Sequence, residues 1–264
     1  MSTKVRYERH GAAAVLTIDR PERRNAVDAE TAALLHDGFT RFEADHEARA
    51  LVLTGAGPQA FCAGADLKAI AAVGTDQLPD KIEAVSERPE GPMGFTRLAA
   101  SKPTIAAISG WCLAGGLELA LWCDLRVATE TARLGFPERR WGVPLIDGGT
   151  QRLPRVVGQG RALELILTGR ILAADEALGW GLVNEIVPAD RHVERALELA
   201  EGLAGFPQQT MLSDRRAALE ALGLPLKRGL ELEAELGGRS IEVGIRGAAR
   251  FAAGEGRHGE GSGA

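Results

Sequence analysis

Apolar runs of five to six residues, each followed by a glycine-marked polar gap, recur through the first two-thirds of the chain. Residues 4–9 and 13–18 (AAVLTI) read as two strands turning at Gly11. After the loop RPERRNAVD, Asp28 is placed to cap a helix over about 29–45, with Ala32, Leu35, Phe39 and Phe42 on one face. ALVLTGA is a short apolar strand leading into the loop GPQAFCAGADL. Residues 75–100, broken by Pro79, Pro89 and Pro92, predict short helices and loops around a binding site. TIAAIS is the next strand, followed by a glycine turn and a helix over about 114–122; DLRVAT is another strand, leading to the loop LGFPERRWGVPLIDGG. Helices are expected over about 150–157 and 160–167, and a last strand over 184–187. Val193, Ala196, Leu197, Ala200 and Leu203 stripe one face of a further helix. Beyond Pro207 the pattern is helical only, to about Phe251, and the glycine-rich tail from about 254 predicts disorder.

Strands alternating with helices over about 200 residues predict an α/β architecture. Residues 1–200 form the expected core. Residues 201–264 form a helical region with too little core of its own, which must pack on the body or on another subunit.

The most hydrophobic stretch, Thr104 to Cys123, holds one charge, Glu118. Its length nearly suffices for a membrane span. Glu118 would be costly inside one, and Gly110, Gly115 and Gly116 break the run, so a buried strand followed by a buried helix is the expectation, with no membrane partner. No apolar leader precedes the body, and the expected compartment is cytoplasmic. The net charge of −5 argues against a nucleic-acid partner. The three cysteines lie in apolar surroundings, as buried thiols of a reducing compartment do, and the five scattered histidines offer no metal-ligand spacing, so no metal is expected.

Three strand ends carry the candidate chemistry, because sites in α/β proteins are built on loops beyond strands. FCAGADL follows ALVLTG, CLAGGLE follows TIAAIS, and LGFPERRWG follows DLRVAT. Gly64, Gly115 and Gly116 allow close backbone approach, either for strand–helix packing or to present amide donors at a helix N-terminus to a developing oxyanion. Glu118 sits in the first helical turn among Leu113, Leu117, Leu119, Leu121 and Trp122. It is either a capping glutamate or a buried carboxylate with a chemical task. Glu138, in FPERR, reads by itself as solvated surface charge.

Together these pieces resemble the crotonase (enoyl-CoA hydratase/isomerase) superfamily over nearly the whole chain. RPERRNAVD, AFCAGADL, SKPTIAAISGWCLAGGLELALWCDLRVAT, LGFPERRWGVPLIDGGTQRLPRVVG, GLVNEIVP and SIEVGIRGAARF match its motifs in order. The resemblance implies a spiral of ββα repeats with a C-terminal helical region, assembled as a homotrimer or a dimer of trimers. It implies an acyl-CoA thioester substrate and no separate cofactor, CoA being part of the substrate. By motif position, the amides of Ala65 and Gly115 form the oxyanion hole, and Glu118 and Glu138 do the proton work of hydrating a 2-enoyl-CoA. Ala63, Asp66, Leu67 and Lys68 match the CoA-binding loop, and Arg24 with Arg23 offers phosphate contacts. The alternative activity is double-bond isomerisation. It is raised by Asp147, which stands where hydratases have a small residue and which is either a solvent-facing helix cap or a third carboxylate in the pocket.

Overall fold

The computed structural model describes residues 4–72 and 87–255. Along the chain the elements are β1 (Val5–His10), β2 (Ala13–Ile18), α1 (Ala29–Ala44), β3 (Ala50–Gly55), β4 (Ala60–Cys62) and α2 (Leu67–Ala71). They continue with β5 (Thr104–Ile108), β6 (Trp111–Leu113), α3 (Gly115–Trp122), β7 (Leu125–Thr129), β8 (Arg133–Gly135), α4 (Gly149–Val157) and α5 (Gln159–Thr168). The last are β9 (Ile171–Ala173), α6 (Ala174–Gly179), β10 (Glu185–Val187), α7 (His192–Gly205), α8 (Gln208–Glu220), α9 (Leu226–Gly238) and α10 (Ile241–Ala252). Single 3-10 turns occupy Pro21–Arg23 and Pro137–Trp141.

Six strands form a sheet in the order β1-β2-β3-β5-β7-β10, parallel except for the β1–β2 hairpin. Its inner strands are unbroken apolar runs because both faces are covered. One face packs against α1 and the second sheet, through Leu16, Leu35, Phe39, Leu53 and Ile108 among others. The other face, bearing Val15, Val52, Ile105, Ala107 and Val127, is covered by the stripe of α7. That stripe lies where the sequence periodicity predicts it.

A second sheet, order β4-β6-β8-β9, consists of three-residue strands. The sequence reading has loops or turns at β4, β6 and β8 and assigns nothing at β9, so this sheet is a correction. Three residues are too few for an alternation pattern, and each strand follows a corner carrying glycine or polar residues. The corner glycine Gly110, at φ 54, lies so close to the Gln59 carbonyl that a side chain there has no room. Chain order now makes sense of the architecture. β3, β5 and β7 enter the large sheet, and β4, β6 and β8 continue directly into the small one. A helix or 3-10 turn follows each pair. These are ββα repeats, and they bring the ends of β4, β6 and β8 to one place.

The part of residues 75–100 expected to be short helices lies partly outside the described residues; Gly91–Leu98 is a succession of turns. The tail from 256 onward also lies outside them. Helices α8 to α10 follow the body. Arg215 of α8 ties them to it, pairing with Asp124 at 2.9 Å and donating to the Ala100 carbonyl at 2.8 Å. Ala217, Leu236 and Ser240 are buried in this region, whereas Leu226, Leu230, Ile241, Ile245 and Phe251 are exposed. Among the described residues no helix is long and apolar enough to cross a membrane.

Candidate active site

A cavity of about 800 Å³ opens where β4, β6 and β8 end. Its first wall is the loop after β4. Asp66 caps α2, accepting from the Lys68 and Ala69 amides, and pairs with the buried Arg20 at 3.1 Å. Arg20 also pairs with Asp28, which caps α1, at 3.1 Å. One guanidinium therefore ties two N-caps together and fixes the loop. Burial pushes both carboxyls upward, but their hydrogen bonds and Arg20 overcome this and leave both below the usual carboxylate range.

Val27 and Ala65 form an isolated parallel bridge, in which the Val27 amide donates to Gly64 (2.8 Å) and the Asp66 amide to Val27 (2.9 Å). In such pairing the N–H of Ala65 itself faces away from Val27, and Ala65 lines the cavity.

The second wall is the start of α3. Gly115 is the first helical residue, so its N–H has no intrahelical acceptor, and it too lines the cavity. Among the described residues neither the Ala65 nor the Gly115 amide has an acceptor within the chain. The two loops are close: a Cβ on Gly64, which has φ 93, would stand 3.0 Å from the Gly115 nitrogen. Ala114 before the helix holds φ 52 and ψ −127, a costly conformation for a residue with a side chain, kept in place by its amide donating to Gly135 at 2.9 Å. Gly116 packs against the Cys62 carbonyl. The glycine pair thus serves both close packing and a free donor.

Glu118 is 2% exposed. It does not cap its own helix. Its Oε1 accepts from the amides of Asp147 (3.0 Å) and Gly149 (2.7 Å), across the cavity floor. A Cβ on Gly149 would meet Glu118 Cγ and Oε1 at 3.0 Å, so glycine is what lets this amide approach. Burial pushes the Glu118 carboxyl up to about 7, helped by the charges of Asp147 and Glu138 and opposed by the two amides. Glu138, on the 3-10 turn after β8, is 5% exposed rather than solvated. Neither of its carboxylate oxygens has a hydrogen-bond partner among the described residues, and burial raises it as well. Two buried acids of raised proton affinity, facing one cavity beside two free amides, can trade a proton while an oxyanion is held.

Asp147 is 3% exposed and lines the cavity, as the reading of a third carboxylate in the pocket expects, which corrects the alternative of a solvent-facing cap; the α4 N-cap is Gly148. Asp147 Oδ1 accepts from the Met93 amide at 3.0 Å and from the Thr96 hydroxyl.

Of the other expected contacts, Ala63, Asp66 and Leu67 line the cavity. Arg24 and Lys68 are exposed and lie outside its lining, Arg24 contributing its carbonyl to the Ala63 amide at 3.0 Å. Met93 and Trp141 line the cavity, while Phe95 stacks on Phe39 and meets Trp122 edge-on in the core. Sequence reasoning missed Arg88, Pro92 and residues 143–146, whose only signal was proximity to PERRWG. Among the described residues no cluster of three His, Cys, Asp or Glu is placed to hold a metal.

Comparison with known proteins identifies the family. The family described as enoyl-CoA hydratase/isomerase matches residues 8–251. The chain is 40% identical to the Rhizobium meliloti protein named "Probable enoyl-CoA hydratase" over 230 residues, covering 87% of this chain and 86% of that one. It is 35% identical to the (E)-benzylidenesuccinyl-CoA hydratase of Thauera aromatica over 217 residues, 82% of each chain. The crystal structure of an enoyl-CoA hydratase from Bacillus anthracis superposes with a TM-score of 0.86 at 32% identity, covering 99% of this chain and 100% of that one. A fold of ββα repeats, a matched length and a cavity at the repeat ends lead to one assignment: the chain belongs to the enoyl-CoA hydratase/isomerase family, the crotonase superfamily.

Proposed function

We propose that this protein is an enoyl-CoA hydratase that adds water reversibly across a 2-enoyl-CoA to give a 3-hydroxyacyl-CoA. The observation that carries the reading is the pairing of Glu118 and Glu138 on one cavity with the unengaged amides of Ala65 and Gly115.

In this reading the thioester oxygen lies between the two amides, which stabilise the enolate as charge moves onto it; each such donor contributes roughly 3–4 kcal/mol. Glu118, ionised and aimed by the Asp147 and Gly149 amides, holds water and takes its proton as oxygen bonds to C3. Glu138, protonated, delivers a proton to C2. Desolvation favours one shared proton between the acids, because burial disfavours two charges at once. Dehydration runs the same steps backwards. Asp147 is turned into hydrogen bonds with Met93 and Thr96, which favours hydration by the glutamate pair over isomerisation through a third acid.

The CoA portion belongs along Ala63, Asp66 and Leu67, with Arg24 and Lys68 at the rim as phosphate contacts. The exposed apolar residues of α8 to α10 support assembly as a homotrimer or a dimer of trimers. The buried free thiols suit a cytoplasmic enzyme.

The test is incubation with crotonyl-CoA and a medium-chain 2-enoyl-CoA, following loss of the conjugated thioester absorbance. A 3-hydroxyacyl-CoA product by mass spectrometry supports the reading. No turnover of these, with conversion of a 3-enoyl-CoA to its 2-isomer, refutes it in favour of isomerisation.

A further inference from the structure

Asp147 joins three parts of the site that are otherwise separate in the chain. Its carboxylate holds the turn of residues 91–97 through the Met93 amide and the Thr96 hydroxyl. Its own amide, with that of Gly149, holds Glu118. Its carbonyl accepts from Arg152 of α4 at 2.9 Å, and the same guanidinium donates to the Thr96 carbonyl, closing the ring. The turn so fixed presents Met93 to the cavity against Gly115, where an added Cβ would meet Met93 Sδ at 2.9 Å. Phe95 anchors the other side of the turn in the aromatic cluster, its ring 4.6 Å from Trp122. Asp147 lines the cavity with its Oδ1 engaged by two loop donors, whereas neither carboxylate oxygen of Glu138 has a partner among the described residues.

We infer that Asp147 is a positioning residue, a clamp that sets the orientation of Glu118 and the place of the Met93 wall together and transfers no proton itself. Its effect on turnover rests on the hydratase reading; the clamp itself does not. A carboxylate at this point couples the acyl side of the cavity to the catalytic carboxylate. A misplacement of about 1 Å at a reacting group is enough to cost about 10²-fold in rate.

Two variants and two readouts test this. Asp147→Ala removes the acceptor, whereas Asp147→Asn keeps an oxygen for Met93 and Thr96 and removes the acid. Hydrogen–deuterium exchange of residues 91–98 reads the clamp without reference to any reaction. Kinetics on a 2-enoyl-CoA reads its consequence. The alanine variant is expected to exchange the Met93 amide at least about tenfold faster. Its kcat is expected to fall about 10²-fold, a larger change than in KM. The asparagine variant is expected to recover native exchange and to lose no more than about fivefold in kcat. Should asparagine be as inactive as alanine while exchange stays native in both, Asp147 is a proton-transfer group and the inference is overturned. Native exchange in the alanine variant also overturns it. If wild-type protein hydrates no 2-enoyl-CoA, the functional proposal fails while exchange still decides on the clamp. Should the alanine variant not fold, Thr96→Val removes one donor alone; faster exchange over 91–98 supports the clamp and native exchange overturns it.

Discussion

Replacing Glu118 by glutamine separates the two consequences of burying an acid. The amide keeps an oxygen where Oε1 accepts from Asp147 and Gly149, so the local geometry survives. What disappears is the proton equilibrium. In the folded protein burial holds the carboxyl at about 7, against an ordinary value of 4.5. Between those values the folded chain carries a proton that the unfolded chain has released, so wild-type stability falls as pH rises through that window. Below about 4.5 the contribution is intact, and above about 7 it is lost. Integrated from pH 5 to pH 8, the loss is about 2.5 kcal/mol. The glutamine variant does not suffer it. Its Tm relative to wild type should therefore rise by about 5–10 °C between pH 5 and pH 8, using about 2–4 °C per kcal/mol for a chain of this size. The assay is thermal unfolding of both proteins across that range at one protein concentration. The same variant should lose about 10²–10⁴-fold in kcat. A Tm difference that is the same at pH 5 and pH 8 refutes the raised proton affinity. Retained turnover refutes the role of Glu118.

Glu138→Gln should lower kcat on a 2-enoyl-CoA by about 10²–10⁴-fold, checked by steady-state kinetics, without loss of Tm, because the carboxylate it replaces has no partner among the described residues. In wild type, kcat should fall as pH drops below about 7, where Glu118 takes up its proton, and a pH–rate profile flat from 5.5 to 8 would contradict this. Gly64→Ala should destabilise by about 1–3 kcal/mol and reduce kcat, since φ 93 disfavours a side chain whose Cβ would lie 2.9 Å from that of Ala114; denaturation and kinetics measure the two effects. Arg20→Met takes away the cation between Asp28 and Asp66, leaving Asp28 to Lys4 alone, and should cost about 3–5 kcal/mol in denaturation at pH 7, less near pH 3, where the unfolded chain's carboxyls take protons and the native pairing stabilises less.

The large sheet was legible because strands buried on both faces are written as unbroken apolar runs, TIAAIS and ALVLTG being clear cases. The α7 stripe was legible because a helix declares its buried face every three to four residues. The small sheet was not, since AFC, WCL, RLG and ILA are shorter than any periodicity. Glu118 stood out as a charge in an apolar run. Glu138 did not: PERRW looks like surface, and only the turn after β8 folds it inward. The orientation of Asp147 was illegible, because its donors come from residues 51 and 54 positions away. Arg20 gave no signal at all, its role arising from two caps that sequence places 38 residues apart.

The face covered by α7 bears on how the chain is made. Strands β2, β3, β5 and β7 emerge in the order in which they lie in the sheet, each beside its predecessor, so the sheet can grow during translation. One side of it, with Val15, Val52, Ile105 and Val127, stays bare until residues 192–205 leave the ribosome. From β7 to the end of α7 that takes about 4–15 s at ordinary elongation rates. For that interval the nascent chain displays a flat aliphatic surface with no cover of its own. A chain cut short before His192 keeps that surface permanently, and its expected fate is aggregation or capture by chaperones rather than residence as a smaller folded enzyme.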